Sequence, residues 1–241
     1  GGEMLVTEGG YGRSYGDPQR YDYFLAGLAH NMILVDGRGP ARLGSWNSDS
    51  REGNTSQSAG RVTELCRARG LYGARAETSY RDTDLRRSVF FVRRRYFVIV
   101  DEVSSAREHE YAWTLHGNSK NARRIENDGA QWIVGGRRLS VFHLMPSGMP
   151  WRFSTARGTA GDFGHGSRVT DHTMLRVWTA GREATFVTVL IPDADGAESP
   201  EAALVSRDPV TVRVRPPGAR ESDLFVWDPK GRGSVARIRK G

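Results

Sequence analysis

The feature that most constrains the fold is a series of short apolar segments separated by turns rich in Gly, Pro, Asn and Asp. Candidate strands recur roughly every 8–12 residues, whereas helical periodicity is nearly absent. Residues 61–69 are the best helix candidate, because Val62, Leu65 and Cys66 would share one face, but we favour a strand there. The pattern predicts an all-β fold, a large antiparallel β-sandwich of two sheets with few or no helices.

The length of 241 residues suits one β-sandwich domain over residues 1–241, with a possible small sub-domain from about residue 193 to 241. Residues 147–172 are Gly-rich and weakly patterned, which is compatible with a long loop. Gly181 and Arg182 separate two strands that we expect to form a hairpin. No apolar run is long enough for a transmembrane helix, so we expect no membrane span.

The charge balance favours an anionic partner. Lys and Arg total 35 against 28 Asp and Glu, giving a net charge of +7. Arg is suited to bidentate binding of carboxylate, sulfate or phosphate, so a polysaccharide or a nucleic acid fits. The basic residues are dispersed rather than gathered with aromatics, and we therefore expect no nucleic-acid partner. Cys66 is the single cysteine, which excludes an intramolecular disulfide.

Residues 8–38 carry most of the chemistry in the sequence. A glycine-rich loop holds Glu8 and four tyrosines, and His30 with Asn31 precedes an apolar strand. The tyrosines are Tyr11, Tyr15, Tyr21 and Tyr23. A carboxylate and an imidazole suit zinc, but a zinc site needs at least three protein ligands. From the residues alone, a hydrogen-bonded structural His30 stands beside the metal-site interpretation.

The same segment resembles a known family. The run G-E-M-L-V-T-E-G-G-Y-G at residues 2–12, followed by A-H-N-M-I-L-V-D-G at residues 29–37, is similar to the heparinase II/III and oligoalginate lyase family. The hairpin V-F-F-V and Y-F-V-I-V-D at residues 89–101 resembles the hairpin that follows in that family. The resemblance covers roughly residues 2–145 and implies the C-terminal β-sandwich of a polysaccharide lyase. Such a lyase cleaves uronate-containing polysaccharide, such as alginate or a heparin-like polymer, by β-elimination.

The resemblance also implies roles for residues of this segment. His30 matches a zinc ligand, and Glu8 stands where the family has an aspartate ligand; a third ligand is expected from a His-x-His element outside this chain. Tyr15 lies near the family's tyrosine that acts as acid and base, with Tyr11 as the alternative. Arg13 is a candidate for contact with the substrate carboxylate, which must be neutralised as charge builds on it.

Further candidates for substrate binding share exposed or strand-end positions. They are Asn31, Arg38, Trp46 and His116. Trp46 would stack on a sugar ring, although packing is an equal alternative, and a buried or edge position is the alternative for His116. We expect His109, His165 and His172, which lie in polar surroundings, at the surface.

The resemblance also implies that the family's other catalytic groups come from an N-terminal α/α-toroid domain, which we expect outside this chain. We therefore expect the chain alone to be inactive, with an acidic polysaccharide or oligosaccharide and the toroid of the same protein as its partners. We also expect a periplasmic or secreted location, with the signal peptide not among the residues of this sequence. A non-catalytic carbohydrate-binding β-sandwich is the alternative function, which an inward-pointing His30 would favour.

Overall fold

The structure is a computed structural model that describes residues 2–10, 12–40, 60–125, 129–162, 165–228 and 236–240. Strands dominate these residues, and the described helices are a π-helical turn at Arg20–Phe24 and a 3₁₀ turn at Gly27–Ala29. Neither helix is long and apolar enough to cross a membrane. The strands are β1 Val6–Thr7, β2 Ile33–Val35, β3 Arg61–Ala68, β4 Leu71–Tyr80, β5 Thr83–Val92, β6 Tyr96–Gly117, β7 Ala122–Ile125, β8 Gly129–Val134, β9 Arg137–Met145, β10 Trp151–Asp162, β11 His165–Ala194, β12 Glu201–Arg207, β13 Val210–Arg215, β14 Asp223–Trp227 and β15 Ala236–Lys240.

The strands form two antiparallel sheets. The large sheet runs β3-β4-β5-β6-β11-β9-β8-β7, with β1 and β2 also on β6 and β10 also on β11. The small sheet runs β12-β13-β14-β15. The prediction of an all-β sandwich of two antiparallel sheets with few helices is confirmed, and residues 61–68 are a strand, as favoured.

An apolar core joins the two sheets. Along β5 the buried Phe90 and Val92 alternate with half-buried neighbours, as expected where only one face of a strand is covered. The Phe90 ring packs against Phe225 of the small sheet, with ring centroids 5.1 Å apart. Val98, Val189 and Val212 belong to the same core, and their side chains are fully buried. The small sheet is therefore held on the large one by apolar burial.

The large sheet bends back on itself. Trp113 Nε1 donates a 3.0 Å hydrogen bond to Asp101 Oδ2, although both residues belong to β6. In a straight strand they would lie about 40 Å apart. The partner strand β11 follows the bend, since Val177 pairs with Trp113 and Phe186 with Asp101. A second core, which includes Trp113 and Trp132, fills the bend.

Two expectations about loops are wrong. Gly181 and Arg182 do not separate a hairpin; they lie within β11, where the register shifts between Gly181 and Glu183. Both halves of β11 pair with the same bent strand β6, so the glycine marks a bend instead of a chain reversal. The second expectation was a long loop at residues 147–172. Instead, residues 151–162 pair with residues 165–177 as antiparallel strands. Backbone hydrogen bonds between neighbouring strands can sustain such a ladder even where the sequence shows little apolar patterning.

Candidate functional site

The two ends of the loop at residues 8–30 are pinned together. Gly9 N donates a 2.7 Å hydrogen bond to Ala29 O. A Cβ on Gly9 would lie only 2.6 Å from the Ala29 Cβ, so this approach requires glycine. The hydroxyl of Thr159 on β10 donates to Gly9 O at 3.4 Å. Glu8 and His30 are thereby held side by side at the start and the end of the loop.

Glu8 and His30 form an accessible pair. Glu8 Oε2 lies 2.9 Å from His30 Nδ1, and the two side chains are 53% and 32% exposed. His30 is therefore neither buried among aliphatic residues nor turned into the core. Among the described residues, no group of three or more His, Cys, Asp or Glu side chains is arranged to hold a metal ion. Within this part of the chain, the pair offers a carboxylate and an imidazole and no third ligand.

Asn31 clamps the strands that flank this pair. Its Nδ2 donates to Thr7 O at 2.7 Å, and its Oδ1 accepts a hydrogen bond from His116 N at 2.7 Å. The Thr114 hydroxyl donates to His30 O at 2.8 Å. Asn31, a predicted substrate contact, thus has both polar groups of its side chain engaged by backbone. In this arrangement it fixes the position of its neighbour His30.

Two buried histidines lie beneath the loop. His116 Nε2 lies 3.0 Å from Leu28 O, and His116 Nδ1 lies 2.7 Å from His172 Nε2. A carbonyl oxygen only accepts, so His116 carries its proton on Nε2, and His172 Nε2 donates to His116 Nδ1. Burial lowers the pKa of His116 to about 4 and also lowers the pKa of His172. The pair is therefore neutral near pH 7.

The burial of these rings corrects part of the sequence interpretation. The expectation that His109 and His172 lie at the surface is wrong, since they are 5% and 3% exposed. Each ring has a partner that offsets its burial: His172 has His116, and His109 Nδ1 lies 2.7 Å from Asp36 Oδ2. His116, a predicted substrate contact, is fully buried with both ring nitrogens engaged. A direct contact through its imidazole would require these bonds to break.

The loop tip presents Tyr15 to solvent. Its side chain is among the most exposed of the large apolar residues, at 74%. The Arg20 guanidinium lies 4.8 Å from the centroid of its ring, a cation–π distance. Nearby, the buried Asp17 accepts hydrogen bonds from Arg13 N and Gln19 N at 2.9 Å each. These bonds keep the pKa of Asp17 below its usual value, so the tip is ordered around an ionised carboxylate.

Tyr23 attaches the loop to β10 through its hydroxyl. Its hydroxyl donates to Arg157 O at 3.0 Å and accepts from Arg157 N at 2.8 Å. Burial raises the pKa of Tyr23. This phenol therefore serves as an anchor in the described arrangement, whereas Tyr15 and, to a lesser extent, Tyr21 are exposed.

The remaining predicted residues are placed apart or lie outside the described residues. Arg38 is exposed and lines a separate cavity together with Gly27 and Leu28. Tyr11 and Trp46 fall outside the described ranges. His172 was not predicted to be buried, and the signal that could have indicated its burial is its position two residues before the buried Met174, on the same strand face.

Comparison with known proteins identifies a family whose sequence pattern this chain matches. The model of the heparinase II/III-like C-terminal domain matches residues 1–203. A search of curated protein sequences found no match.

Solved structures with a similar fold include the following. A heparinase III structure described as the BT4657 gene product matches 100% of the chain and 34% of its own length, with a TM-score of 0.69 and 15% identity. The heparan sulfate lyase HepC from Pedobacter heparinus matches 97% of the chain and 36% of its own length, with a TM-score of 0.70 and 12% identity. The chain thus spans about a third of the length of these structures. The match of the domain model over most of the sequence shows that the chain belongs to the heparinase II/III-like family, as a C-terminal domain.

Proposed function

We propose that the protein is a polysaccharide lyase that cleaves uronate-containing acidic polysaccharide by β-elimination at the loop of residues 8–30. The observation that carries the proposal is the accessible contact of 2.9 Å between Glu8 and His30, held by backbone and buried polar clamps. Membership of the heparinase II/III-like family supports a polysaccharide substrate. A net charge of +7 favours an acidic one.

The chemistry assigns a part to each exposed group of the loop. A base removes the proton on the carbon next to the uronate carboxylate, a carbon–carbon double bond forms, and the glycosidic C–O bond breaks. An acid then protonates the leaving oxygen. The exposed phenol of Tyr15 is the proposed base and acid, with Tyr11 as the alternative. Arg13, exposed at the loop tip, is proposed to contact the substrate carboxylate as negative charge builds on it.

A zinc ion fits the donor chemistry of the Glu8 and His30 pair, although not its ligand number. Two donors of a tetrahedral zinc lie about 3.3–3.5 Å apart, slightly more than the 2.9 Å between Glu8 Oε2 and His30 Nδ1. We propose that these residues would hold the ion, with a third ligand from outside this chain. A bound zinc ion would supply positive charge next to a substrate anion.

The remainder of the catalytic groups is proposed to come from a second domain. The described loop exposes the phenols of Tyr15 and Tyr21, and the chain spans about a third of the length of the solved structures that it matches. We propose that an N-terminal α/α-toroid of the same protein supplies further groups and packs near the loop. The activity is therefore assigned to the protein made from its complete reading frame.

The experiment adds a panel of uronate polymers to that protein and follows the ultraviolet absorbance of the unsaturated product. Glu8→Gln, His30→Gln and Tyr15→Phe are each expected to slow product formation by about a hundredfold or more. Glu108→Gln, which removes another exposed carboxylate, is the matched control and should leave the rate unchanged. Unchanged rates in all three loop variants would overturn the assignment. Binding of the polymers without product would favour a non-catalytic carbohydrate-binding module instead.

A further inference from the structure

A cavity of about 440 Å³ is lined in part by residues 26–28, the segment whose Leu28 carbonyl oxygen contacts His116. Its volume falls in the range of about 300–1,000 Å³ that is typical of ligand clefts. One wall is the π-helical turn with Tyr21 and Asp22, and another is the turn from Gly37 to Pro40. Arg38 and Arg81 supply its positive charge. With Asp22 as the acidic residue of the lining, the described side chains give it a net charge of +1.

The cavity depends on a close contact between two glycines. A Cβ on Gly27 would lie 2.5 Å from Gly39 Cα, closer than real Cβ atoms approach. Any larger residue at Gly27 would push the two walls apart. The turn that carries Arg38 is thus fixed relative to the segment that carries Leu28, and the cavity is a built feature of the fold.

Arg81 is held towards this cavity in a costly backbone conformation. Arg81 and the next residue, Asp82, have φ angles of 54° and 58°, a region that non-glycine residues rarely adopt because it strains the backbone. Arg107 and Ser105 hold this turn through hydrogen bonds of 2.7 Å each to Asp82. Arg81 Nε donates to Gly39 O at 2.6 Å. This bond fixes the guanidinium at the wall and leaves its two terminal nitrogens for a ligand.

Arg38 complements Arg81 from the other wall. It is exposed, and no other described residue engages its guanidinium in a hydrogen bond or an ion pair. Two guanidinium groups on one cavity suit a planar anionic group, because each presents several N–H donors in a fork. The Asp22 carboxylate can accept hydrogen bonds from sugar hydroxyls, and the Tyr21 ring adds an apolar surface.

We propose that this cavity is a second saccharide subsite, in which Arg38 and Arg81 bind the carboxylate or sulfate of a neighbouring sugar of the acidic substrate. This inference rests on the proposed function, since it takes the same polymer. The cavity adjoins the candidate active site, because Leu28 lines it and lies within about 7 Å of His30 along the backbone. A substrate chain that crosses residues 28–30 would contact both sites.

The test measures oligosaccharide binding by titration calorimetry in the complete protein, with Tyr15→Phe present to prevent turnover. Ligands are unsulfated oligouronates and sulfated heparin fragments, from disaccharide to hexasaccharide. Arg38→Ala should weaken binding of the longer ligands at least about tenfold and leave the disaccharide unchanged. Loss with sulfated ligands alone identifies sulfate as the bound group, and loss with both kinds identifies carboxylate. Arg81→Lys, which keeps the charge without the fork, should show the same length dependence to a smaller degree.

Arg69→Ala is the matched control, since it removes an exposed arginine from the β3–β4 turn, away from the cavity. If longer ligands bind the Arg38→Ala and Arg69→Ala variants equally well, the subsite proposal is overturned while the proposed function stands. If the protein without these substitutions binds no acidic oligosaccharide, the proposed function is overturned and the subsite with it.

Discussion

Two buried regions of this molecule are held together in opposite ways. The core between the sheets is made of aliphatic and aromatic side chains, such as Phe90, Val98 and Phe225. The layer beneath the loop of residues 8–30 is held by hydrogen bonds of buried or half-buried polar side chains, namely Asn31, Thr114, His116 and His172. Apolar burial stabilises without fixing direction, whereas hydrogen bonds fix geometry. The polar layer is therefore suited to positioning Glu8 and His30.

The largest expected effect lies in the apolar core. Phe225→Ala removes a fully buried ring that packs on Phe90, and it should lower the free energy of unfolding by about 3–5 kcal/mol. Urea denaturation measures the change. Because Phe225 belongs to the small sheet and not to the loop, the activity per folded molecule should be retained. A selective loss of activity in a protein of unchanged stability would contradict the separation of the two regions.

The second-largest expected effect is a loss of folding stability at low pH, which is caused by the buried histidines. The pKa of His116 is about 4 in the folded protein, against about 6.5 when it is unfolded, so the unfolded state binds more protons. The contribution of neutral His116 to the free energy of unfolding is therefore fully present above about pH 6.5 and is lost as the pH falls towards 4. Between pH 7.5 and pH 5 the loss for His116 is on the order of 2 kcal/mol.

His143 contributes in the same direction, because burial lowers its pKa to about 3. The His143→Phe variant removes that contribution and serves as the control. Denaturation of this variant at several pH values should still show the acid loss from His116 and His172. A free energy of unfolding that does not change between pH 7.5 and pH 5 would contradict the neutral histidine pair.

Substitution of Asn31 has the smallest expected effect on the free energy of unfolding and the clearest effect on the geometry of the site. Asn31→Asp keeps the acceptor for His116 N but loses the donor to Thr7 O, at a cost of about 1–2 kcal/mol. Loss of this bond should displace β1 and β2, and kcat should therefore fall by more than the small loss of folding free energy alone would cause. Asn118→Asp is the matched control, since Asn118 donates to Met4 O in an exposed position. Equal effects of both substitutions on kcat would remove the special role of Asn31.

Local patterns in the sequence predicted much of the fold but little of the polar layer. Alternation along segments such as β5 indicates a strand wherever one face is buried, which explains why the sandwich was predictable. The bend of β6 was not, because it depends on the contact between Asp101 and Trp113, which no local pattern encodes. The burial of His172 likewise depends on His116, a partner 56 residues away in sequence.

The loop of residues 8–30 shows the same division. Its glycines and tyrosines were visible in the sequence, and the proximity of Glu8 to His30 was implied by family resemblance. The closure itself follows from Gly9 meeting Ala29 at a distance that only glycine permits. The cavity of Arg38 and Arg81 could not be predicted, because Arg81 follows a different strand, β4, and reaches the site through a turn with positive φ angles.

The central claim is that Glu8 and His30 act as one unit on an acidic sugar. A double-mutant cycle on kcat/KM with Glu8→Gln, His30→Gln and the combined variant measures this coupling directly. We predict that the combined variant is no worse than the more damaged single variant, which corresponds to a coupling of at least about 1 kcal/mol. The claim would be contradicted if the fold-losses in kcat/KM of the two single variants multiplied in the combined variant, or if the single variants kept full activity.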